Sequence, residues 1–245
     1  MLPVYSLAVR RDGYLARFSA IAPWPVSGDP SSARAVGGHR CDDAGVIRGR
    51  AVWVVAGVVV AAVARHWHTG WGATESEKTE RLPGDEYPLS RFGMRATRAL
   101  TIAASPERVW PWIVQLGFGK AGWYSYELLD NLGRPSARSV LPQWQQVAVG
   151  DAAAPMNPLQ GVDKSPWRVA QVAAPHVLVW RHPKSGTWAW VLRPLPSGGT
   201  RLVTRLRVSY AYPGGLAFAP ILELADFPMY RKMLLGIRER AERHR

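Results

Sequence analysis

Seven residues could act as acids or bases: Glu127, Asp130, Asp151, His176, His182, Glu223 and Asp226. A general acid–base pair needs two such groups within reach of one substrate atom, and a metal site needs ligands at spacings that a helix or hairpin can gather. No two of the seven have a recognisable spacing of that kind. The sequence carries no nucleophile elbow, phosphate-binding loop or dinucleotide fingerprint. His66 and His68 stand two apart, which suits neither a helical metal pair nor a zinc motif, and they read as surface histidines. Taken singly, each acidic residue reads as a cap, a turn or a surface charge. No catalytic residue, metal ion or cofactor is therefore assigned, and the balance is against an enzyme.

The aromatic residues stand out instead. Twelve tryptophans, most on predicted strands or beside glycine turns, are more than a core of this size needs. Large apolar surfaces with a few polar tips suit the lining of a small-molecule pocket. Its wall is expected to be Trp112, Tyr124, Tyr126, Trp188, Trp190, Tyr210, Met229 and Met233, drawn from three separate elements. Trp188 and Trp190 share a strand face, Tyr210 ends the strand beside it, and Met229 and Met233 lie one helical turn apart. Taken one at a time, these residues are equally at home as plain core.

The elements that must position them begin at Met94. Ala96, Arg98, Leu100 and Ile102 alternate with Arg95, Thr97, Ala99 and Thr101, the period of a half-buried strand. Ser105 as N-cap, Pro106 in the first helical position and Glu107 in the first turn open a helix. Val109, Trp110, Ile113, Val114 and Leu116 continue it, and Pro111 falls inside its first two turns. Gly117, Gly119 and Gly122 break it, and a second helix is expected over residues 123–131. A short strand and turn is expected over 145–155, a loop over 155–166, and strands over 167–172, 177–181, 186–194 and 200–212. Ser197-Gly-Gly199 marks a hairpin between the last two. In the last strand Leu202, Thr204, Leu206, Val208 and Tyr210 face one way and Arg201, Arg205 and Arg207 the other, which reads as one covered and one wet face. Residues 221–243 read as a helix with an apolar stripe of Phe227, Tyr230, Met233, Leu234 and Ile237, started or kinked at Asp226 and Pro228. A strand, two helices, a run of antiparallel strands and one long helix make an α+β layout.

Several stretches resemble one family. Thr97-Arg-Ala99, Val109-Trp-Pro-Trp112, Gln115-Leu-Gly117, Gly122-Trp-Tyr-Ser-Tyr126, Asn131, Gly186-Thr-Trp-Ala-Trp-Val191 and Met229-Tyr-Arg-Lys-Met-Leu-Leu-Gly236 occur in the order found in actinobacterial, membrane-anchored members of the SRPBCC superfamily of polyketide cyclases and lipid-transport proteins. The resemblance covers roughly residues 67 to 243. It implies the helix-grip, START-like fold: a curved antiparallel sheet wrapped around a long C-terminal helix, with a cavity between them. A lipid-like or aromatic small molecule is the ligand that it suggests. Two other functions stay open: a cyclase, dehydratase or hydrolase using the same cavity, and an envelope interaction module with a vestigial one.

Residues 1–45 show neither helical nor strand period and read as disordered or poorly packed. Ala51–Ala64 is an uncharged apolar run bracketed by Arg48 and Arg50 on one side and Arg65 on the other. With its flanks it forms a hydrophobic segment over 46–66, followed by a connector over 67–93 and the helix-grip domain over 94–245. Fourteen helical residues reach about 21 Å, short of the ~30 Å hydrocarbon core, but snorkelling arginines and interfacial tryptophans extend the span. A signal-peptide core or a buried helix compete with a membrane anchor; the fifty residues before the run are too many for a signal peptide. As an anchor it would leave the N-terminus in the cytoplasm and the domain outside, because arginines precede it and an acidic connector follows.

The net charge is +13, and it is uneven: residues 67–90 carry −3 and residues 91–245 carry +12. The basic residues are scattered over strand faces and the last helix without a nucleic-acid motif. They read as a solvated face, with attraction to an anionic membrane surface as the functional alternative. Cys41 is the single cysteine, so no internal disulfide forms.

Overall fold

The computed structural model describes residues 43–153 and 165–243, so the expectation for the N-terminal tail and most of the loop over 155–166 lie outside the described residues. The chain divides into two compact units at Gly57–Val58. The described part of the first is a stretch of helix, residues 43–57. Helix α1 covers Asp43–Thr69, well beyond the apolar run at both ends. Its 27 residues extend about 40 Å. Residues 52–67 are exposed throughout, and the stretch Val52–Thr69 is long and apolar enough to cross a membrane.

The second unit is an antiparallel five-stranded sheet with a long C-terminal helix packed on it, the helix-grip arrangement. The strands are β1 (Gly93–Ile102), β2 (Arg168–Ala173), β3 (Val177–His182), β4 (Gly186–Pro194) and β5 (Thr200–Ser209), in spatial order β1-β5-β4-β3-β2. β1 closes onto β5 across the whole domain, with Arg98 opposite Thr204, and β4 sets Trp190 opposite the same Thr204. Helix α3 (Pro106–Val114) follows β1 as expected, and α5 (Gly215–Arg243) closes the fold. The inner face of the sheet, α3 and α5 enclose one core that includes Ile102, Ile113, Leu116, Trp180, Trp190, Leu202, Leu234 and Ile237.

Four expectations need correction. The helix expected over 123–131 shrinks to α4 (Glu127–Asp130), because residues 117–126 are held as a loop by side chains. Asn131 Oδ1 accepts from Trp123 N at 3.1 Å, Ser136 Oγ accepts from Tyr124 N at 3.2 Å, and Gln115 Nε2 donates to Tyr124 OH at 2.8 Å. The strand expected at 145–155 is reduced to one isolated bridge, Ala152 with Arg168. β5 ends at Ser209 rather than Tyr212. Finally, α5 starts at Gly215 rather than Ile221: Pro213 and Gly214 make the turn, and Gly214 O accepts from Ala217 N and Phe218 N. Pro220 and Pro228 are accommodated inside the helix.

The outer face of the sheet is not wet. Residues 71–87 lie across it. Ala99 N donates to Trp71 O at 3.1 Å, so the connector lines the open edge of β1. Gly72 makes this approach at φ +73, where a Cβ would stand 2.1 Å from Ala99 O. Thr74 caps the short helix α2 (Glu75–Thr79) with a reciprocal capping box to Glu77. Leu82 then packs on Ala99, Val191 and Val203. The arginines of β5 are the seats of this strap. Arg201 forks onto Glu77 at 2.8 and 2.7 Å. Arg205, 1% exposed, donates to the carbonyls of Glu77 and Glu80, to Thr97 Oγ1 and to Asp85. Arg207 donates to Gly84 O at 2.8 Å. The acidic connector and the basic strands are thus the two halves of one interface.

Glu77 gives this interface an acid limit. The hydrogen bond from Arg201, aided by Thr74 N, holds its carboxyl down at about 2 against an ordinary 4.5. A depressed folded pKa contributes stability that is complete above the unfolded value and lost as pH falls through the folded one. The thermal midpoint is therefore expected to drop as pH is lowered from about 4.5 towards 2, and Glu77→Gln should flatten part of that drop. An identical acid limb in parent and variant would remove Glu77 from the account.

Close packing of α5 on the 117–126 loop is a second local requirement. Tyr124 adopts φ 54, and Gly236 passes so near that an added Cβ would lie 2.4 Å from Tyr124 O. Gly236→Ala is expected to cost about 1–3 kcal/mol by overpacking, read as a lower denaturation midpoint. No loss of stability would mean that the helix shifts freely there.

Candidate functional site

The inner face of β4 and β5 presents Trp188, Trp190 and Thr204 towards α5. The rings of Trp188 and Trp190 stack at 4.9 Å, and Trp123 stacks on Trp188 at 5.8 Å. Trp180 of β3 meets both strand tryptophans edge-on. Tyr230 comes down from α5 onto this layer, 5.2 Å from Trp188 and 6.4 Å from Trp190. A short polar chain runs through it. Thr204 Oγ1 donates to Ala189 O at 2.8 Å, which leaves it an acceptor for Trp188 Nε1 and for the Tyr230 hydroxyl at 2.6 Å. Trp188 Nε1 also donates to the Tyr230 oxygen at 2.6 Å. Burial pushes the Tyr230 hydroxyl far above its usual range, so it stays a neutral donor at any physiological pH.

Two donor groups at this layer lack acceptors among the described residues: Trp190 Nε1 and the terminal nitrogens of Arg98. Arg98 is fully buried. Its Nε donates to His68 O at 3.0 Å, and its guanidinium lies over the Tyr230 ring at 4.3 Å. One terminal nitrogen is 2.8 Å from Asp226 Oδ2, an ion pair without hydrogen-bond alignment. Arg98, Thr204 and Trp190 form one cross-strand row, so the two donor groups flank Thr204 from strands about 10 Å apart.

Beside this row lies a charged group. Glu223 is bound by Arg65 at 2.8 and 3.0 Å and accepts from Tyr210 OH at 3.3 Å. His68, read from sequence as a surface residue, is buried 3.9 Å from the same carboxylate, whereas His66 is exposed as expected. Neither acid here is free to act as a base: Arg65 and Tyr210 occupy Glu223, and Arg98 neutralises Asp226.

The eight residues expected to form the pocket wall fall into groups. Trp188, Trp190 and Met233 are buried between sheet and helix. Tyr210 is buried beside Glu223. Trp112 and Tyr124 form an edge-on pair at 6.0 Å, with Arg240 over the Tyr124 ring and Gln115 bonded to its hydroxyl at 2.8 Å. Tyr126 is 41% exposed beneath Lys232, and Met229 is partly exposed. Sequence reasoning left Trp123, Trp180, Tyr230 and Arg98 off the wall. For Arg98 a signal existed: a charge among Ala96, Leu100 and Ile102 on an otherwise apolar strand face.

A separate open cleft of about 480 Å³ lies on the other side of the sheet, where Asp85, Arg91, Arg95 and Arg207 line the margin of the connector. Its charges are largely spent on one another: Asp85 stands within 4 Å of both Arg95 and Arg207.

No family model matches the chain, and no curated protein does. Solved structures do match. A Nitrosomonas europaea protein known from X-ray crystallography is 13% identical, covering 65% of this chain and 100% of its own, with a TM-score of 0.34. A polyketide-cyclase-like protein of Corynebacterium glutamicum, solved by NMR, is 13% identical over 63% of this chain and 98% of its own, with a TM-score of 0.39. A conserved Enterococcus faecalis protein of unknown function is 13% identical over 63% and 86%, with a TM-score of 0.29. The fold assignment rests on the sheet order and the helix of the chain itself, because likenesses this loose cannot carry it.

Proposed function

We propose that this chain is a membrane-tethered binding domain for an apolar or aromatic small molecule, lipid-like in character, held between the sheet and α5 and carrying acceptor oxygens. The observation that carries this reading is the buried Trp190 Nε1, which has no acceptor among the described residues, set in an aromatic layer one row across from Arg98, whose terminal nitrogens make an ion pair with Asp226 but no aligned hydrogen bond. A buried donor without an acceptor costs about 1–3 kcal/mol, which a carboxylate, phenolate or carbonyl oxygen would recover. Surrounding rings supply the apolar contact that such pockets use. Catalysis is not part of the reading, since the neighbouring carboxylates are already paired.

The test uses cis-parinaric acid, a conjugated chain ending in a carboxylate. Saturable binding with quenching of tryptophan emission is expected. Trp190→Phe keeps a ring but removes the N–H, and should weaken binding about tenfold, the equivalent of one hydrogen bond. Absent binding, or equal affinity in parent and variant, would defeat the reading. Trp190→Ala gives the stability counterpart: a full core truncation costs about 3–5 kcal/mol, and a site residue should cost less.

The tether is the α1 span. Full-length protein should sediment with membranes and resist high salt; intact chain in the soluble fraction would sink the tether. With the N-terminus inside, added protease should reach the domain in intact spheroplasts, and protection would reverse the orientation.

A further inference from the structure

Helix α5 changes character half-way along. A buried stripe runs its full length through Ala219, Glu223, Tyr230, Leu234, Ile237 and Ala241. The exposed flanks of the second half carry Arg231, Lys232, Arg238, Glu239 and Arg243, as a helix in water should. Those of the first half carry Leu216, Phe218, Ile221 and Leu224, all four more than half exposed. Residues 215–225 contain a single charge, Glu223, and Arg65 neutralises it.

Where this half points follows from its contacts. Arg65 meets Glu223, while Trp67, His68 and Trp71 all meet Phe227. The contacts advance in the same sense along α1 and α5, so the residues before Glu223 lie on the side of the apolar residues before Arg65. Eight residues at 1.5 Å each carry the start of α5 about 12 Å in that direction. α4 flanks it: Tyr126, its N-cap, lies under Lys232, and Ser125 Oγ donates to Met229 O. α4 thus sits beside the middle of α5, with Leu128 and Leu129 exposed on it.

We propose that the first two turns of α5, with Leu128 and Leu129 of α4, are inserted in the lipid bilayer beside the anchoring helix. The inference rests on the tether reading and goes further: the domain is seated on the membrane face-on rather than hanging from it. An apolar helix half inserts to the depth of the headgroup–acyl boundary, about 5–10 Å, comparable with the projecting length. Arg65, Arg231 and Lys232 then stand at headgroup level.

The experiment uses the full chain with Cys41→Ser, reconstituted in phosphatidylcholine–phosphatidylglycerol vesicles. Single cysteines introduced as Leu216→Cys, Leu224→Cys or Leu128→Cys carry an environment-sensitive fluorophore, and lipid-borne nitroxides serve as quenchers. Val60→Cys on α1 is the immersed control and Ser197→Cys in the β4–β5 turn the aqueous one. The proposal expects blue-shifted, lipid-quenched emission at 216, 224 and 128, as at 60, with 197 unaffected. Quenching at 60 combined with water-like emission at 216 and 224 overturns the proposal while leaving the tether standing. A blue shift at 216 and 224 without lipid quenching also overturns it, since protein would then cover the face. Loss of quenching at 60 removes the tether and the proposal together.

Discussion

Arg205→Met is expected to destabilise the domain by about 3–5 kcal/mol, the range for removing one partner of a buried ion pair. The side chain is 1% exposed and holds four separate parts of the chain: Thr97 on β1, the carbonyls of Glu77 and Lys78 in α2, Glu80 O just after it, and the Asp85 carboxylate. Methionine fills much of the volume but offers no donors, leaving four acceptors and a carboxylate facing an apolar chain. Because all of those acceptors except Thr97 Oγ1 belong to the strap over the outer face, the variant should also expose Leu82, seen as faster amide exchange over residues 73–87. Denaturation of the full chain in detergent gives the magnitude. A loss under about 1 kcal/mol would put the pair in the class of surface ion pairs and make the strap a passive cover.

Arg98→Met is expected to cost about 2–4 kcal/mol, a little less because Asp226 keeps some contact with solvent. The guanidinium ties β1 to the end of α1 through His68 O and to α5 through Asp226 and the Tyr230 ring. Removing it strands a carboxylate against the aromatic layer. Arg98→Met combined with Asp226→Leu should therefore be more stable than Arg98→Met alone, since the stranded charge is gone. If the double variant is worse than the single one, Asp226 contributes through other contacts and Arg98 is not its partner. The pair also separates structure from binding. An anionic probe should lose affinity in both variants, whereas stability should return in the double one.

Much of the fold was legible before any coordinates. The alternation of Ala96, Leu100 and Ile102 marked β1, and Ser197-Gly-Gly199 marked the β4–β5 hairpin. These are local signals, carried by residues that neighbour one another in sequence. The misreadings arose where a local signal was overruled from a distance. Arg201, Arg205 and Arg207 alternate like a solvent face, and nothing near them in sequence says that Glu77 and Asp85, more than 115 residues earlier, will cover them. The charge imbalance between connector and domain was the trace of that interface, but net charge carries no geometry. α5 was read as starting at Ile221, with a start or kink at Asp226 and Pro228; it starts at Gly215, with Pro220 and Pro228 both inside the helix.

The candidate site shows the same division. Residue types alone pointed to an aromatic interior. Helical period alone placed Tyr230 and Met233 on a buried stripe. Which tryptophans would stack, which indole would lack an acceptor, and which arginine would be buried over a tyrosine were decided by register. Arg98, Thr204 and Trp190 become one row only when β1 pairs with β5 and β5 with β4, joining positions about a hundred residues apart. Side-chain period is a property of a segment, whereas burial and partnership belong to the pairing of segments. For this reason the sequence alone determined the elements and their apolar content, and the tertiary structure alone decided where the unmatched donors meet.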